Sequence, residues 1–217
     1  MRFDEVIERL AQFPEPLPVP AAALMPVLIA PGGGVSRRPD WPAPDRPARP
    51  AGVLVLLFPD ADGIARVVLT ERSSRDGHHS GEVSFPGGKA EPHDADIVAT
   101  ALREAAEEVG LDGAAAGVRV VGLLEPFPIP VSAFDVTPVV AIATRRPVLV
   151  ASASEVARIV EPPVARFLPN ARIDIVERTI DGWPLRYGEY AVEGLSVWGA
   201  TARILSQLGA ILARQPR

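Results

Sequence analysis

The distribution of proline divides this chain into two parts that cannot fold in the same way. Of the 24 prolines in 217 residues, 11 lie between Pro14 and Pro50, with glycines at 32–34 among them. Proline fixes its own φ angle and lacks an amide donor, so this stretch cannot hold a regular helix or a central strand. We therefore predict a helix and an extended, proline-rich arm over residues 1–50, with a short strand at 27–29, and a main domain over residues 51–217.

The first residues predict an amphipathic helix over residues 2–12. Phe3, Val6, Ile7 and Leu10 recur at helical spacing and fall on one face. A single helix must bury such a face against another surface. Two alternatives are open: the helix folds back onto its own chain, or it docks on a second copy and holds a homodimer.

Composition excludes several classes of protein. The chain has no cysteine, which rules out disulfide frameworks, cysteine zinc sites and thiol catalysis. Its net charge of −5, without a block of lysine or arginine, argues against nucleic-acid or anionic-membrane partners. No apolar run approaches the ~20 residues of a membrane-spanning helix, and the N-terminus does not resemble a signal peptide. We expect a soluble, cytoplasmic protein.

From residue 51 onward the sequence predicts an α+β fold. Two runs rich in β-branched residues, 51–58 and 65–71, are joined by a turn at 59–63 that is typical of a hairpin. Further strands are predicted at 118–125, 135–144 and 171–180, and helices at 96–109 and 196–214. Strands and helices do not alternate regularly, which favours a mixed β-sheet flanked by helices.

The helix at 96–109 carries the residues best suited to chemistry. Glu104, Glu107 and Glu108 share one face without a lysine, and Glu104 and Glu108 are one turn apart, a spacing that costs an isolated helix ~0.2–0.5 kcal/mol. Converging carboxylates suit a hard divalent cation such as Mg²⁺, although a solvated acidic face is the alternative. Asp94 or Asp96 begins this helix, and for Asp94 we favour a role as helix cap over metal binding.

The turn before this helix can approach a ligand closely. Pro86, Gly87 and Gly88 allow a bare backbone carbonyl or amide to contact a metal or a phosphate. Lys89 adds a positive charge that suits phosphate.

Together these residues resemble the signature of the Nudix hydrolases. That signature runs glycine, five residues, glutamate, seven residues, then Arg-Glu-apolar-any-Glu-Glu-any-Gly-apolar. Here Gly88 is followed by five residues, Asp94, eight residues and then the unbroken run from Arg103 to Leu111. Aspartate replaces the first glutamate, and one residue is inserted. The resemblance implies a Nudix-type α/β/α sandwich with a mixed β-sheet between helices.

A second stretch, just before this signature, resembles the coenzyme A pyrophosphatase branch of that family. The matching residues are Leu69, Thr70, Arg72, Ser73, His79, Gly81, Val83, Ser84 and the run from Phe85 to Gly88. Asp76, Gly77 and Glu82 depart from the branch pattern, and the change at 77 removes an arginine. Later matches include 126–132, 136–138 and 197–202, so the resemblance covers about residues 50–212.

The resemblance implies a role for each residue of the signature. Glu104, Glu107 and Glu108, assisted by the Gly88 carbonyl, would bind Mg²⁺ or Mn²⁺. Glu104, Glu108 and Arg103 would be the catalytic residues, and Arg103 would act by orienting the acids through ion pairs.

Contacts to substrate are predicted for three residues that also have plain structural explanations: Arg72, His79 and Lys89. The general base is left open among Glu104, Glu161 and Glu189. The aromatic residues at 183, 187, 190 and 198 could form a base-stacking shelf, but a place in the core is the stronger expectation.

The resemblance implies hydrolysis of a diphosphate bond in a small nucleotide. Coenzyme A or an acyl derivative is the leading substrate, giving 3′,5′-ADP and a 4′-phosphopantetheine. Because the arginine at 77 is lost, ADP-ribose, NADH or a related dinucleotide is the alternative. A non-catalytic Nudix-like binding domain is a further alternative.

Overall fold

Strand β3 (Arg49–Pro59) organises the fold because its side chains alternate between two hydrophobic clusters. Val55 and Leu57 pack in one cluster with helices α1 (Phe3–Leu10) and α4 (Gly199–Leu212). Leu54, Leu56 and Phe58 pack in the other with helix α2 (Ile97–Val109). The sheet therefore lies between helices, as the sequence predicts. A computed structural model describes residues 1–30, 34–37, 47–73, 81–129, 133–180 and 182–214.

The central sheet is mixed and has six strands. Its members are β3, β4 (Ala65–Val67), β7 (Gly87–Lys89), β8 (Val118–Leu123), β9 (Phe127–Ile129) and β10 (Phe134–Ala143). The main path is β4-β3-β10-β8, with β7 beside β3 and β9 beside β10. Only the β3–β10 pair among these is parallel. The hairpin predicted at 51–71 is present as β3 and β4.

Two smaller sheets flank the central one. The strands of the first run in the order β12 (Asp174–Ile180), β13 (Trp183–Val192), β1 (Val27–Ile29) and β2 (Val35–Arg37), with β14 (Leu195–Val197) beside β13. The second has the order β11 (Val156–Val160), β5 (Leu69–Arg72) and β6 (Val83–Ser84). A four-residue helix, α3 (Gly113–Ala116), leads into β8.

The N-terminal helix buries its apolar face in its own chain. Phe3, Val6 and Leu10 are at most 7% exposed and belong to the same cluster as α4. The Arg9 guanidinium also donates a hydrogen bond to the Leu212 carbonyl at the end of α4. This is the first of the two alternatives for the helix. The homodimer and the boundary at residue 50 stay predictions.

Two details of the helices differ from the predictions. Asp96, not Asp94, caps α2, with its side chain accepting from the Ala99 amide at 2.8 Å. The prediction of an Asp94 cap was wrong because the Asp94 carboxylate is engaged by Arg103 instead. The last helix begins at Gly199, three residues later than predicted, because residues 195–197 pair with β13. No helix in the described ranges is long and apolar enough to cross a membrane.

The aromatic residues fall largely in the core. Tyr187 and Tyr190 are 1% and 3% exposed, and Tyr190 packs edge-on against Phe167. Trp198, at the start of α4, stacks on Tyr187 with ring centroids 4.8 Å apart. This agrees with the expectation of core residues. The Trp183 side chain lies outside the described part of the chain.

Candidate active site

The backbone of β7 presents a free edge to helix α2. The amide of Leu54 bonds to the Pro86 carbonyl, and the amide of Ala90 bonds to the Pro50 carbonyl. Along an antiparallel pair, the backbone amide and carbonyl of successive residues point alternately toward the partner strand and away from it. Gly88 lies midway between these two bonds, so its amide and carbonyl point toward its β3 partner. The backbone amides and carbonyls of Gly87 and Lys89 point away from β3, toward side chains of α2.

Two glutamates of α2 lie against this edge. A Cβ atom added to Gly88 would be 2.5 Å from the Glu104 carboxylate, so any other residue there would displace that carboxylate. The Glu108 Oε2 atom accepts a hydrogen bond from the Gly87 amide at 3.1 Å. Gly88 thus allows the Glu104 carboxylate to come close, and Gly87 donates its amide to Glu108.

Arg103 ties the remaining acids together. Its Nε and Nη2 atoms donate to the two carboxylate oxygens of Asp94 at 2.9 and 3.0 Å. Its Nη1 atom donates to both Glu104 and Glu107, each at 3.0 Å. Its Nη2 atom also reaches the Lys89 carbonyl at 3.1 Å. Arg103 thus contacts three acids, and its predicted role of orienting them through ion pairs stays a prediction.

Burial and crowding leave these acids in an electrostatically unfavourable environment. Burial raises the pKa of Glu108 to about 7, and the charges of Glu104 and Glu155 add to the effect. Burial also raises the pKa of Glu104, although Arg103 acts in the opposite direction. By contrast, the Arg103 guanidinium holds the pKa of Asp94 well below its usual range. Glu104 and Glu108 are therefore the acids with most to gain from a bound cation.

The sequence analysis missed a further acid, Glu155, whose charge acts on this site. It raises the pKa of both Glu104 and Glu108. It lies in the loop between β10 and β11, and this loop is joined to α2 where the Ser152 amide donates to the Glu108 carbonyl at 2.8 Å. The surrounding sequence, 151–155, carries no motif, so only the fold reveals its position.

The predicted substrate residues are placed differently from one another. Arg72 is at the end of β5, and its charge acts on Glu108. Lys89 is exposed on β7, and the alternation of side chains along a strand directs it to the face opposite Gly88 and Glu104. His79 lies outside the described residues.

The other two candidates for the general base form ion pairs away from the acid cluster. Glu161 pairs with Arg146 at 2.5 Å, at the far end of β11 from Val156, a strand that spans roughly 13 Å. A cavity of about 690 Å³ opens there, lined by this pair and by Asp60 and Arg66. Glu189 accepts from the Ser196 hydroxyl and pairs with Arg178 at 3.7 Å. Among the three predicted candidates, Glu104 is the one in the acid cluster.

The acids do not form a closed metal cage. Within the described part of the chain, no three histidine, cysteine, aspartate or glutamate side chains group closely enough to hold a metal ion by themselves. The carboxylates of Glu104 and Glu107 accept hydrogen bonds from Arg103, whereas the Glu108 carboxylate accepts one from the Gly87 amide. An ion bound here would take ligands from water or substrate as well as from the chain.

Comparison with known proteins decides the family. The NUDIX domain family matches residues 48–153. The chain is 38% identical over 183 residues to the uncharacterized Nudix hydrolase NudL of Klebsiella pneumoniae (strain 342), an alignment covering 81% of this chain and 90% of that protein. The chain belongs to the Nudix hydrolase family. The predicted fold and enzyme family are confirmed at this level.

Further Nudix proteins match over part of their length. Nudix hydrolase 22, chloroplastic, of Arabidopsis thaliana is 40% identical over 172 residues, which are 76% of this chain and 56% of that protein. The chain thus spans little more than half of this relative. A Nudix hydrolase of M. smegmatis, RenU, superposes with a TM-score of 0.46 at 19% identity, covering 64% of this chain and 80% of that one.

Proposed function

We propose that this Nudix chain is a divalent-metal-dependent hydrolase that cleaves the diphosphate bond of nucleoside diphosphate derivatives. The observation that carries the proposal is the convergence of Glu104 and Glu108 on the Gly87–Gly88 edge of β7. Arg103, held by Asp94, forms ion pairs with Glu104 and with Glu107, which adds a third glutamate to the site.

The residues of this site fit a hard cation. Glu104, Glu107 and Glu108 supply carboxylate oxygens, the ligands that Mg²⁺ and Mn²⁺ prefer. The Gly88 carbonyl, which the family resemblance implied as a further ligand, points toward β3 instead, because Gly88 and its β3 partner form a hydrogen-bonded pair. Each ion pair to Arg103 uses one oxygen of Glu104 and of Glu107, which leaves the second oxygen of each for a cation. When bound, the metal supplies polarisation of the diphosphate and a lower pKa for an attacking water.

The side chains around the acids would orient the reaction. Arg103 holds Glu104 and Glu107 in place, and the Gly87 amide holds Glu108. Glu104, which lies in the acid cluster, would accept the proton of the attacking water, and Glu155, whose charge acts on Glu104, is the alternative. Arg72, whose charge acts on Glu108, would contact a substrate phosphate, because guanidinium groups bind phosphate oxygens well.

Coenzyme A or an acyl-coenzyme A is the substrate we propose, giving 3′,5′-ADP and a 4′-phosphopantetheine. The matches from Leu69 to Gly88 support this substrate. The alternative is ADP-ribose, NADH or a related dinucleotide. The Glu82 carbonyl accepts from the Arg72 amide at 3.0 Å, so an acid that the branch pattern lacks is next to the proposed phosphate contact. That added negative charge favours a substrate without a 3′-phosphate.

The test is a comparison of four substrates with Mg²⁺: coenzyme A, dephospho-coenzyme A, ADP-ribose and NADH, with products identified by mass. We expect coenzyme A to be cleaved with a kcat/KM at least tenfold above the others. A preference for dephospho-coenzyme A, ADP-ribose or NADH would establish the alternative. No cleavage of any of the four would favour a non-catalytic binding domain.

A further inference from the structure

Strand β12 has one edge without a partner strand. All seven of its residues, Asp174–Ile180, pair with β13, and within the described residues no other strand pairs with them. The backbone amides and carbonyls along the outer edge of such a strand can pair with a further strand. This edge is therefore a candidate surface for association with another chain.

The strand is anchored on one face and open on the other. Val176 and Ile180 pack against a cluster that includes Leu185 and Tyr187. Alternate residues of a strand point to the opposite face, and there Ile175 is 56% exposed. Packing on the first face holds the strand extended, and a second strand beside it would remove part of the exposed isoleucine from water.

The charged residues of β12 do not block this edge. Many proteins protect an open edge with charged side chains that repel or hydrate. Here each charge is balanced by an ion pair within the same chain. The pairs are Asp174–Arg172 at 2.7 Å, Glu177–Arg186 at 2.6 Å and Arg178–Glu189 at 3.7 Å. The edge therefore carries little net charge against an approaching strand.

A second copy of β12 fits this edge best in one register. Two antiparallel copies of a strand are related by a twofold axis, and opposite residues point to the same face, so the axis passes through a residue and sets it opposite itself. Only axes at Val176, Glu177 or Arg178 pair five or more residues of each strand. Axes at Glu177 and Arg178 set like charges opposite each other, which destabilises a sheet.

The axis at Val176 sets opposite charges together. It pairs residues 174–178 of the two copies and places Val176 against itself. Asp174 then lies opposite Arg178 of the second copy, and the symmetry repeats this pair on the other side of the axis. Ile175 lies opposite Glu177 of the second copy. Opposite-charge cross-strand pairs stabilise a sheet, so the strand is complementary to itself in this register.

We propose that the chain forms a twofold homodimer in which β12 pairs with β12 of a second copy in the register centred on Val176. The two sheets that contain β12 join into one continuous sheet, and both open β12 edges are paired. Helix α1 takes no part, because its apolar face is buried in its own chain. The inference does not depend on the proposed function.

The first test is sedimentation of the full chain from about 1 μM to 0.5 mM, a range that includes weak self-association. The wild-type mass should rise with concentration toward that of two chains. A wild-type chain that stays monomeric over this range would overturn the proposal.

Two substitutions of Ile175 test the register. The residue is exposed, so both variants should fold, and both lose the same apolar side chain. Ile175→Glu places a carboxylate opposite Glu177 of the second copy, whereas Ile175→Lys places an opposite charge there. Because each pair occurs twice in the dimer, the Kd of Ile175→Glu should be about 10-fold higher than that of Ile175→Lys. Equal Kd values would overturn the proposal.

An exchange of charges tests the pairing of Asp174 with Arg178. Asp174→Arg sets arginines opposite each other in its homodimer, and Arg178→Asp sets aspartates opposite each other, so each variant alone should dimerise at least 10-fold more weakly than wild type. A mixture of the two should form a heterodimer, because both cross-strand pairs again join opposite charges. Two folded variants that form no heterodimer would overturn the proposal.

Leu123→Glu is the matched control for Ile175→Glu. Leu123 is 43% exposed on β8, which ends the main path of the central sheet as β12 ends its own. Leu123→Glu should leave the Kd of the dimer within about twofold of wild type, because additivity holds for sites that share no partners. Equal weakening by Leu123→Glu and Ile175→Glu would overturn the assignment of the interface to β12.

Discussion

The carboxylate of Glu104 lies so close over the backbone of Gly88 that a Cβ atom there would be 2.5 Å from its carbon and nearer oxygen. The contact joins the turn before α2 to the acidic face of that helix. A side chain at position 88 would collide with the Glu104 carboxylate, whereas the backbone there is not strained. Adding one methyl group at this position therefore tests activity separately from stability.

Gly88→Ala should lower kcat by about 10²-fold, because it displaces Glu104 from its position at the acid cluster. The clash is with the end of a flexible side chain, so the free energy of unfolding should fall by less than about 2 kcal/mol. Steady-state kinetics and urea unfolding would measure the two effects. The control is Gly113→Ala, whose added carbon meets only the Val118 side chain at 3.7 Å. If Gly88→Ala kept full activity, Glu104 would not need its present position.

Asp94→Asn should weaken the fold in a pH-dependent way. The Arg103 ion pair holds the pKa of Asp94 below its usual range, so the carboxylate stabilises the protein above the unfolded pKa of about 4. That contribution is lost as the pH falls through the lower, folded value. In urea unfolding of metal-free protein, wild type should exceed Asp94→Asn at pH 7, and the gap should narrow below pH 4. A gap that stays constant down to pH 2 would contradict the ion pair.

Three glutamates outside the α2 helix can be compared as sources of the general base. Glu155→Gln should lower kcat by about 10²-fold because the charge of Glu155 acts on both Glu104 and Glu108. Glu161→Gln and Glu189→Gln should stay within about threefold of wild type, because their carboxylates are paired with Arg146 and Arg178. Rate measurements at saturating substrate and Mg²⁺ would decide. A large loss in either of the latter variants would assign the base to that residue.

Leu10→Ala tests whether α1 belongs to its own chain. Leu10 is 2% exposed in the cluster shared with α4, and such truncations cost about 2–5 kcal/mol. The loss should be the same at low and high protein concentration, and Glu8→Ala on the exposed face should cost little. A loss that grows on dilution, with a dimer in sedimentation, would establish the homodimer alternative.

The sequence predicted the parts of the fold that rest on local pattern. The β-branched runs of β3 and β5 and the amphipathic helices α1, α2 and α4 follow from side-chain periodicity, which nearby residues determine. Strands β7 and β13 were not predicted, because Gly87, Gly88 and the residues from Arg186 to Glu189 lack the run of β-branched residues that is typical of a strand. They become strands because they pair with β3, β1 and β12, which are distant in sequence.

The residues of the site divide in the same way, into those that local pattern predicts and those that contacts distant in sequence bring together. Glu104, Glu107, Glu108 and Arg103 could be grouped from helical spacing alone. The Asp94–Arg103 pair spans nine residues and a turn, so the sequence suggested the wrong partner, the helix end. Glu155 could not be found, because its loop is joined to α2 only in the folded chain, where the Ser152 amide donates to the Glu108 carbonyl. A cytoplasmic location and coenzyme A as substrate stay predictions.

The most direct test is the rate of diphosphate cleavage by Glu108→Gln. Glutamine keeps an oxygen for the Gly87 amide, and burial raises the pKa of Glu108, so the metal-free variant should be at least as stable as wild type. With Mg²⁺ and the best of the four substrates, wild type should turn over, EDTA should abolish this, and Glu108→Gln should be about 10³-fold slower. A folded Glu108→Gln variant with wild-type turnover would contradict a catalytic metal site on α2.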